Sequence, residues 1–408
     1  MKPLGPIPRG FGVRSGELAI DDRSVSALIA EAGGTPLFVY SARMLRDCMA
    51  RLRAAMPKNL AIHYAVKANP FGPLLAVMSD LVDGFDIASG GELEIVTKAG
   101  IAAHLVSFAG PGKRDAELRA AINSGVTINL ESEGEAARAI AIAAQEGLTP
   151  RLAIRVNPEF DLKGSGMKMG GGAKPFGVDA ERVPALVRMV VKSGAEWRGF
   201  HIYAGSQALD ADALIEAQKL ALDLAATLAC ESGVALPHCN LGGGFGIPYF
   251  SGDEALDVER IGAALKERLA NLPPELAETA FCIELGRYLV GESGVYLTRI
   301  IDRKVSHGEV FLITDGGLHH QLAASGNFGT VVRRNYPVAI ASRFDAEATE
   351  EANVVGCLCT PLDKLAEKAW LPQADVGDVV AVFCAGAYGA TASPAQFLGQ
   401  GPALEKLV

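Results

Sequence analysis

Between residues 60 and 287 the chain alternates between two hydrophobic periodicities. Short runs rich in apolar and β-branched residues, bounded by turn formers, read as strands at 61–68, 84–88, 104–109, 126–130, 151–157, 197–204, 237–241 and 281–285. Between them lie Ala-rich stretches with helical spacing, among them 131–146, 182–193 and 210–231. Eight strands separated by crossover helices is the pattern of a closed (β/α)8 TIM-type barrel. After Arg287 the character changes. Segments 296–303, 309–314, 337–342, 353–359 and 378–384 read as strands separated by Gly, Pro and Asp clusters, with few long helical stretches. The expected fold is therefore α/β, a barrel over 36–287 plus an all-β domain (a β-barrel or sandwich) from 1–35 and 288–408. A strand at 17–20 is expected to join that second domain.

Composition narrows the partners. The chain has 408 residues, enough for two modules, and a formal net charge of −9. That balance argues against nucleic-acid binding and attraction to anionic membranes. No run is long enough for a membrane span, and the first residues lack the apolar core of a signal peptide. Seven cysteines, odd in number and scattered without a CxxC pair, support neither a disulfide framework nor a zinc knuckle. A reducing, cytoplasmic setting and no metal are the expectation.

Barrel enzymes carry their chemistry at the C-terminal ends of the strands. Lys67 falls there on the first strand, Asp86 on the second, and His201 and Tyr203 on the sixth, with Ser206 just beyond. Gly242, Gly243 and Gly244 follow the seventh, and Glu284, Gly286 and Arg287 close the eighth. Each has an ordinary reading. A strand-end lysine is most often a solvated charge, a glycine triplet most often a turn, and Glu284 and Arg287 could form an ion pair. Together they suggest more. A desolvated lysine can supply a free amine for a Schiff base. A glycine loop after a late strand can cradle a phosphate through its N–H groups, and it lacks the Gly-Lys-Ser/Thr continuation of a nucleotide P-loop. A carboxylate can keep a pyridine nitrogen protonated. These are the requirements of pyridoxal 5'-phosphate (PLP). A basic, Gly-rich loop at 163–172 is a candidate lid.

The motifs, in order, are Tyr64-Ala65-Val66-Lys67-Ala68-Asn69, Phe85-Asp86-Ile87-Ala88-Ser89-Gly90-Gly91-Glu92, Lys174-Pro175-Phe176-Gly177, Gly205-Ser206-Gln207, Leu241-Gly242-Gly243-Gly244-Phe245, Glu284-Leu285-Gly286-Arg287 and Ala385-Gly386-Ala387-Tyr388-Gly389. Through them the chain resembles the fold-type III PLP decarboxylases, the group of the diaminopimelate, ornithine and arginine decarboxylases. The resemblance implies that Lys67 carries the cofactor. It implies that Ser206 and Gly242, Gly243 and Gly244 hold the phosphate with Gly286, Arg287 and Tyr388 nearby, and that Glu284 faces the ring nitrogen. It also implies a head-to-tail homodimer with shared sites, in which Cys359 reaches in from the partner subunit and helps to reprotonate the carbanion.

The substrate end departs from the family pattern. Tyr203 stands where a histidine usually stacks on the cofactor ring, and His201 lies two residues earlier. Thr360 and Pro361 follow the cysteine in place of the carboxylate that grips a distal ammonium. Ala323 replaces a substrate-binding arginine, while Arg333, Arg334 and Tyr336 come later. In residues 315–337 the chain is most similar to the exosortase-associated decarboxylases. The reading is decarboxylation of an amino acid with an altered or carrier-tethered substrate, to which Arg287, Arg333, Arg334, Tyr336, Cys359, Thr360 and Tyr388 are candidate contacts. The alternatives are a genuine meso-diaminopimelate decarboxylase, with Asp363 standing in for the missing carboxylate, a PLP-dependent racemase, and a PLP carrier. Glu284 opposes the racemase, whose ring nitrogen pairs with arginine; the second domain opposes the carrier.

Overall fold

A computed structural model describes residues 1–326 and 333–408; residues 327–332, within the 315–337 segment, lie outside the described residues. Two compact units emerge, one of residues 49–246 and 256–286, the other of 1–48, 247–255 and 287–408.

The first unit is the barrel. Its strands are β1 (Ala61–Ala65), β2 (Gly84–Ile87), β3 (Val106–Phe108), β4 (Thr127–Leu130), β5 (Arg151–Asn157), β6 (Glu196–Ile202), β7 (His238–Asn240) and β8 (Ala280–Leu285). Each pairs in parallel with the next, and β8 pairs back onto β1 with Glu284 opposite His63, which closes the sheet. The eight expected strands are therefore present, all but β5 with shifted ends. β1 stops at Ala65, and Val66–Ala68 is a single 3-10 turn that carries Lys67. Residues 103–105 are likewise a 3-10 turn ahead of β3.

Side-chain caps explain where several crossover helices begin. Ser89 accepts the Glu92 N–H to start Gly90–Lys98, and Ser132 accepts the Glu135 N–H to start Glu133–Glu146. The barrel interior is polar as well as apolar. Buried Glu131 accepts from Arg155 at 3.0 Å and from the N–H groups of Gly110 and Gly177 at 2.6 and 2.7 Å. Lys113 pairs with Glu135 at 2.8 Å. The Lys174-Pro175-Phe176-Gly177 motif thus has a structural use: Phe176 packs under the Arg155 guanidinium, 4.9 Å away, and Gly177 caps Glu131 at a positive φ of 76°.

The second unit is built on the long strand Gly294–Ser306. This strand pairs antiparallel with Leu37–Tyr40, Val379–Val382 and Glu309–Thr314. Glu350–Val355 and Lys364–Leu371 extend the sheet, and Leu404–Leu407 lies parallel to Leu37–Tyr40. Its core includes Leu18, Leu28, Leu37, Val39, Val295, Leu297, Ala381 and Phe383. Glu17–Ile20 is a strand of this unit, as expected, and pairs with Gly12–Arg14 and Arg23–Ser24 in a separate three-stranded sheet. One expectation changes. The strand expected at 353–359 is Glu350–Val355, so Cys359 and Thr360 sit in the bend that follows.

Candidate active site

Lys67, Asp86, His201, Tyr203, Ser206, Gly242, Gly243, Gly244, Glu284 and Gly286 all belong to the barrel unit. Lys67 projects from the turn just past β1, and its Nζ lies 5.8 Å from the centroid of the Tyr203 ring. It is exposed, so the desolvation expected of it is not present in this chain. The turn itself is fixed: buried Tyr64 donates to the Asn69 carbonyl at 2.8 Å, and Asn69 Oδ1 accepts the Phe71 N–H at 3.0 Å.

Glu284 is buried inside the barrel. Its Oε2 accepts from Asn240 Nδ2 at 3.1 Å and lies 3.0 Å from His201 Nε2. Both His201 nitrogens lack an aligned hydrogen-bond partner, so the His201 contact is an ion-pair distance and not a well-directed bond. Burial pushes the Glu284 carboxyl up, but His201, Lys67 and Arg155 outweigh it and hold the group at about 2. Glu284 is therefore an anion, and its partners are His201 and Asn240. Arg287 instead donates from Nη1 to the Tyr249 hydroxyl at 2.7 Å. The pairing of Glu284 with Arg287 that adjacency suggested is replaced by these separate contacts. The two candidates for the ring face also separate: His201 is 2% exposed beside Glu284, whereas Tyr203 is half-buried near Lys67.

Asn240, which sequence reasoning passed over, connects two parts of the site. Its Oδ1 accepts the Gly242 N–H at 2.8 Å while its amide holds Glu284. The signal was an asparagine at the end of a strand and just before the glycines. The glycine loop permits no larger side chain. A Cβ on Gly243 would lie 1.9 Å from the Glu284 carbonyl oxygen, and one on Gly244 2.7 Å from that of Gly205. Backbone bonds from Ala208 N to Gly244 O and from Gly246 N to Ala208 O, each 2.9 Å, fix this loop beside the Ser206 segment. The 163–172 loop contributes Met167–Lys168, which pairs antiparallel with Gly205–Ser206.

Asp86 lies one strand over from Lys67's strand. Its Oδ2 is 3.2 Å from His63 Nδ1, and neither Asp86 oxygen has an aligned partner.

The remaining candidates belong to the second unit. Arg287 sits among aromatics, its Cζ 5.4 Å from the Tyr249 ring centroid and 4.8 Å from that of Tyr388. Burial lowers its affinity for the proton, but Tyr249, Tyr388 and Tyr336 raise it further, so it stays charged. Tyr336 packs on Tyr249, centroids 4.7 Å apart. Arg333 donates to the Lys364 carbonyl, and Arg334 lies 3.8 Å above the Phe250 ring and 3.8 Å from Asp253 Oδ1. Cys359 is exposed. Asp363 is 3% exposed and accepts the Leu318 and Leu358 N–H groups at 2.6 and 2.9 Å.

A closed parallel barrel with an exposed lysine and a buried anionic carboxylate at the C-terminal ends of its strands has the layout of a cofactor-dependent barrel enzyme. The family described as "Pyridoxal-dependent decarboxylase, pyridoxal binding domain" matches residues 42–291, and the chain belongs to it. It is a pyridoxal-dependent carboxy-lyase. It is 36% identical over 95% of its length, and 92% of the relative's, to the L-glutamyl-[BtrI acyl-carrier protein] decarboxylase of Niallia circulans. It is 32% identical to the diaminopimelate decarboxylase of Methanothermobacter thermautotrophicus, with 88% of this chain and 83% of the relative covered. Among solved structures, diaminopimelate decarboxylase from Helicobacter pylori complexed with L-lysine superposes with a TM-score of 0.81 at 27% identity, covering 92% of this chain and 91% of that one.

Proposed function

We propose that this enzyme uses PLP to decarboxylate an amino acid whose distal end is neutral or anionic, with a glutamyl unit tethered to an acyl-carrier protein as the first candidate. The observation that carries this is the state of Asp363. A distal ammonium needs a carboxylate partner, and Thr360 stands where the family has one. Asp363, three residues on, is committed to two backbone N–H groups. It is also walled in: a Cβ on Gly317 or Gly356 would come within 2.1 or 2.2 Å of its oxygens. It cannot swing out to replace the missing charge without leaving two buried donors unpaired.

The residues fit the cofactor. Lys67 supplies the amine, Ser206 with Gly242, Gly243 and Gly244 the phosphate cradle, and Tyr203 a face for the ring; Gly286, Arg287 and Tyr388 complete the proposed set. His201 and Asp86 bring buried polar atoms without aligned partners. Bound there, PLP supplies an electron sink for the pair left behind when carbon dioxide departs. Glu284, already ionised, holds the proton on the ring nitrogen, and Asn240 keeps its carboxylate in place. His201 Nε2 lies 3.0 Å from the same carboxylate. Cys359 delivers a proton to the substrate carbon from the partner subunit of a homodimer. The barrel unit, residues 49–246 and 256–286, acts as the cofactor-binding domain, and the unit of residues 1–48, 247–255 and 287–408 as the β domain. Arg333, Arg334 and Tyr336 remain candidates for the substrate end, Arg334 being the more exposed of the two arginines. Among the described residues no helix is long and apolar enough to cross a membrane, and a cytoplasmic setting is proposed.

The test is carbon dioxide release from a carrier-bound L-glutamyl thioester compared with free glutamate, ornithine, lysine and meso-diaminopimelate. Preference for the thioester supports the reading. The identity to diaminopimelate decarboxylases favours meso-diaminopimelate as the second reading, and efficient turnover of that free diamino acid would establish it instead.

A further inference from the structure

Toward the N-terminal end of the barrel strands, two residues before Glu284 on β8 and two before Asn240 on β7, lies a second cluster whose donors the proposed decarboxylation does not use. His63 on β1, His238 on β7 and Cys282 on β8 bring one imidazole nitrogen each and a thiol sulfur together, all within 4.8 Å of one another. They line or adjoin a pocket of about 110 Å³ at that end, walled also by Asp83, His104, Thr127, Arg198 and Asn240. This volume has room for an ion and its waters.

Three features make the cluster more than a meeting of polar side chains. Two imidazoles and one thiolate form the soft, tetrahedral-compatible donor set that zinc-like ions prefer, with a fourth position left for water. His63 Nδ1 faces the Asp86 carboxylate at 3.2 Å, the arrangement by which a carboxylate orients a ligating histidine and increases its basicity. Gly84 leaves space for that ring: a Cβ there would lie 2.6 Å from His63 Nε2.

Protons compete with an ion for these donors. Burial, with His63 and Arg198 adding to it, brings His238 down to about 4, so its imidazole is neutral and able to ligate. Burial pushes the Cys282 thiol up, while its hydrogen bond to His63 favours the thiolate. Burial lowers the His63 value, but Cys282 and Asp86 raise it above the usual range. An arriving ion therefore replaces the proton held between Cys282 and His63, and that proton leaves to solvent.

We infer that His63, His238 and Cys282 form a binding site for a zinc-class divalent transition metal at the floor of the barrel, with Asp86 orienting His63. Its three donors are outside the set proposed for the cofactor, and Asp86 is a residue that the two sites share. It ties β1, β7 and β8 together where the barrel closes.

The experiment uses cofactor-loaded protein stripped with chelator and titrated with Co2+ alone. The expected result is one Co2+ per chain, with a thiolate charge-transfer band and tetrahedral ligand-field bands at wavelengths beyond the cofactor's absorbance. Added Zn2+ should displace both. His238→Gln should weaken binding by at least about 10-fold, and Cys282→Ser should abolish the charge-transfer band. The exposed thiols Cys230 and Cys359 and the half-buried Cys357 are competing sources, so a Cys230→Ser, Cys357→Ser, Cys359→Ser triple variant must keep the bands; it also decides the matter if Cys282→Ser does not fold. No thiolate band in the wild-type protein, or its loss in the triple variant, overturns the inference.

Discussion

His201 Nε2 lies 3.0 Å from Glu284 Oε2 inside the barrel, and Asn240 holds the same oxygen from a neighbouring strand. His201, Lys67 and Arg155 keep the carboxylate ionised at about 2 although burial opposes it. If it stabilises charge on the cofactor, Glu284→Gln should lower kcat by about 10²–10³-fold, measured as carbon dioxide release, while cofactor binding persists. An unchanged kcat would remove Glu284 from the mechanism.

The same depression sets a pH dependence. Glu284 is more acidic in the folded chain than an unfolded glutamate at about 4.3. Its stabilising contribution is therefore complete above that value and is lost as pH falls toward 2. The Glu284→Gln variant should show a shallower loss of stability across that window in acid-denaturation curves.

Lys67 is the only lysine assigned to the cofactor. Borohydride treatment of the wild-type protein should leave a pyridoxyl group on the peptide containing Lys67, and Lys67→Ala should leave none on the chain. Mass spectrometry of the digested protein reads this directly.

Thr360 and Asp363 make opposite predictions about diamino acids. Asp363→Asn should reduce stability by about 1–3 kcal/mol through its two N–H bonds, with the relative efficiencies on ornithine, lysine and meso-diaminopimelate unchanged. Thr360→Asp should raise turnover of those diamino acids by roughly 10-fold or more, since a buried ammonium gains about 2–5 kcal/mol from a charged partner. A wild-type efficiency on meso-diaminopimelate of about 10⁴ M⁻¹s⁻¹ or above would defeat the altered-substrate reading.

Shared sites are tested by mixing. Lys67→Ala and Cys359→Ala subunits, each inactive alone, should regain part of the activity after subunit exchange, because one site of the heterodimer is then intact. No recovery after proven exchange would place Cys359 outside the partner's site.

The barrel was legible in the sequence because its strands are apolar runs set between helix-spaced stretches, and β5 was read to its ends at Arg151–Asn157. Three strands of the second unit's larger sheet were not. Lys364–Leu371 spells KLAEKAWL, whose Ala, Lys and Glu favour a helix, and only its pairing with Glu350–Val355 makes it a strand. Leu37–Tyr40 is apolar on both faces and shows no alternation, and Leu404–Leu407 is too short to show any. At the barrel mouth, strand-end position exposed the candidates Lys67, Ser206 and Glu284. It did not decide between His201 and Tyr203, because two residues on the same side of a strand differ only in depth. The His63, His238 and Cys282 cluster left no motif, since each residue comes from a different strand and only closure of the sheet brings them together.

The strand Leu404–Leu407 pairs in parallel with Leu37–Tyr40, so the last described strand of the chain borders one of the earliest. During vectorial synthesis the barrel unit has all its residues once Gly286 has left the ribosome. The second unit cannot complete its sheet until residue 407 emerges. Leu37–Tyr40, buried along its whole length, must therefore wait with that edge uncovered until Leu404–Leu407 has been made. The nascent chain carries a sticky segment that only this much later strand can sheathe, which makes Leu404–Leu407 the clasp that ends the period of exposure.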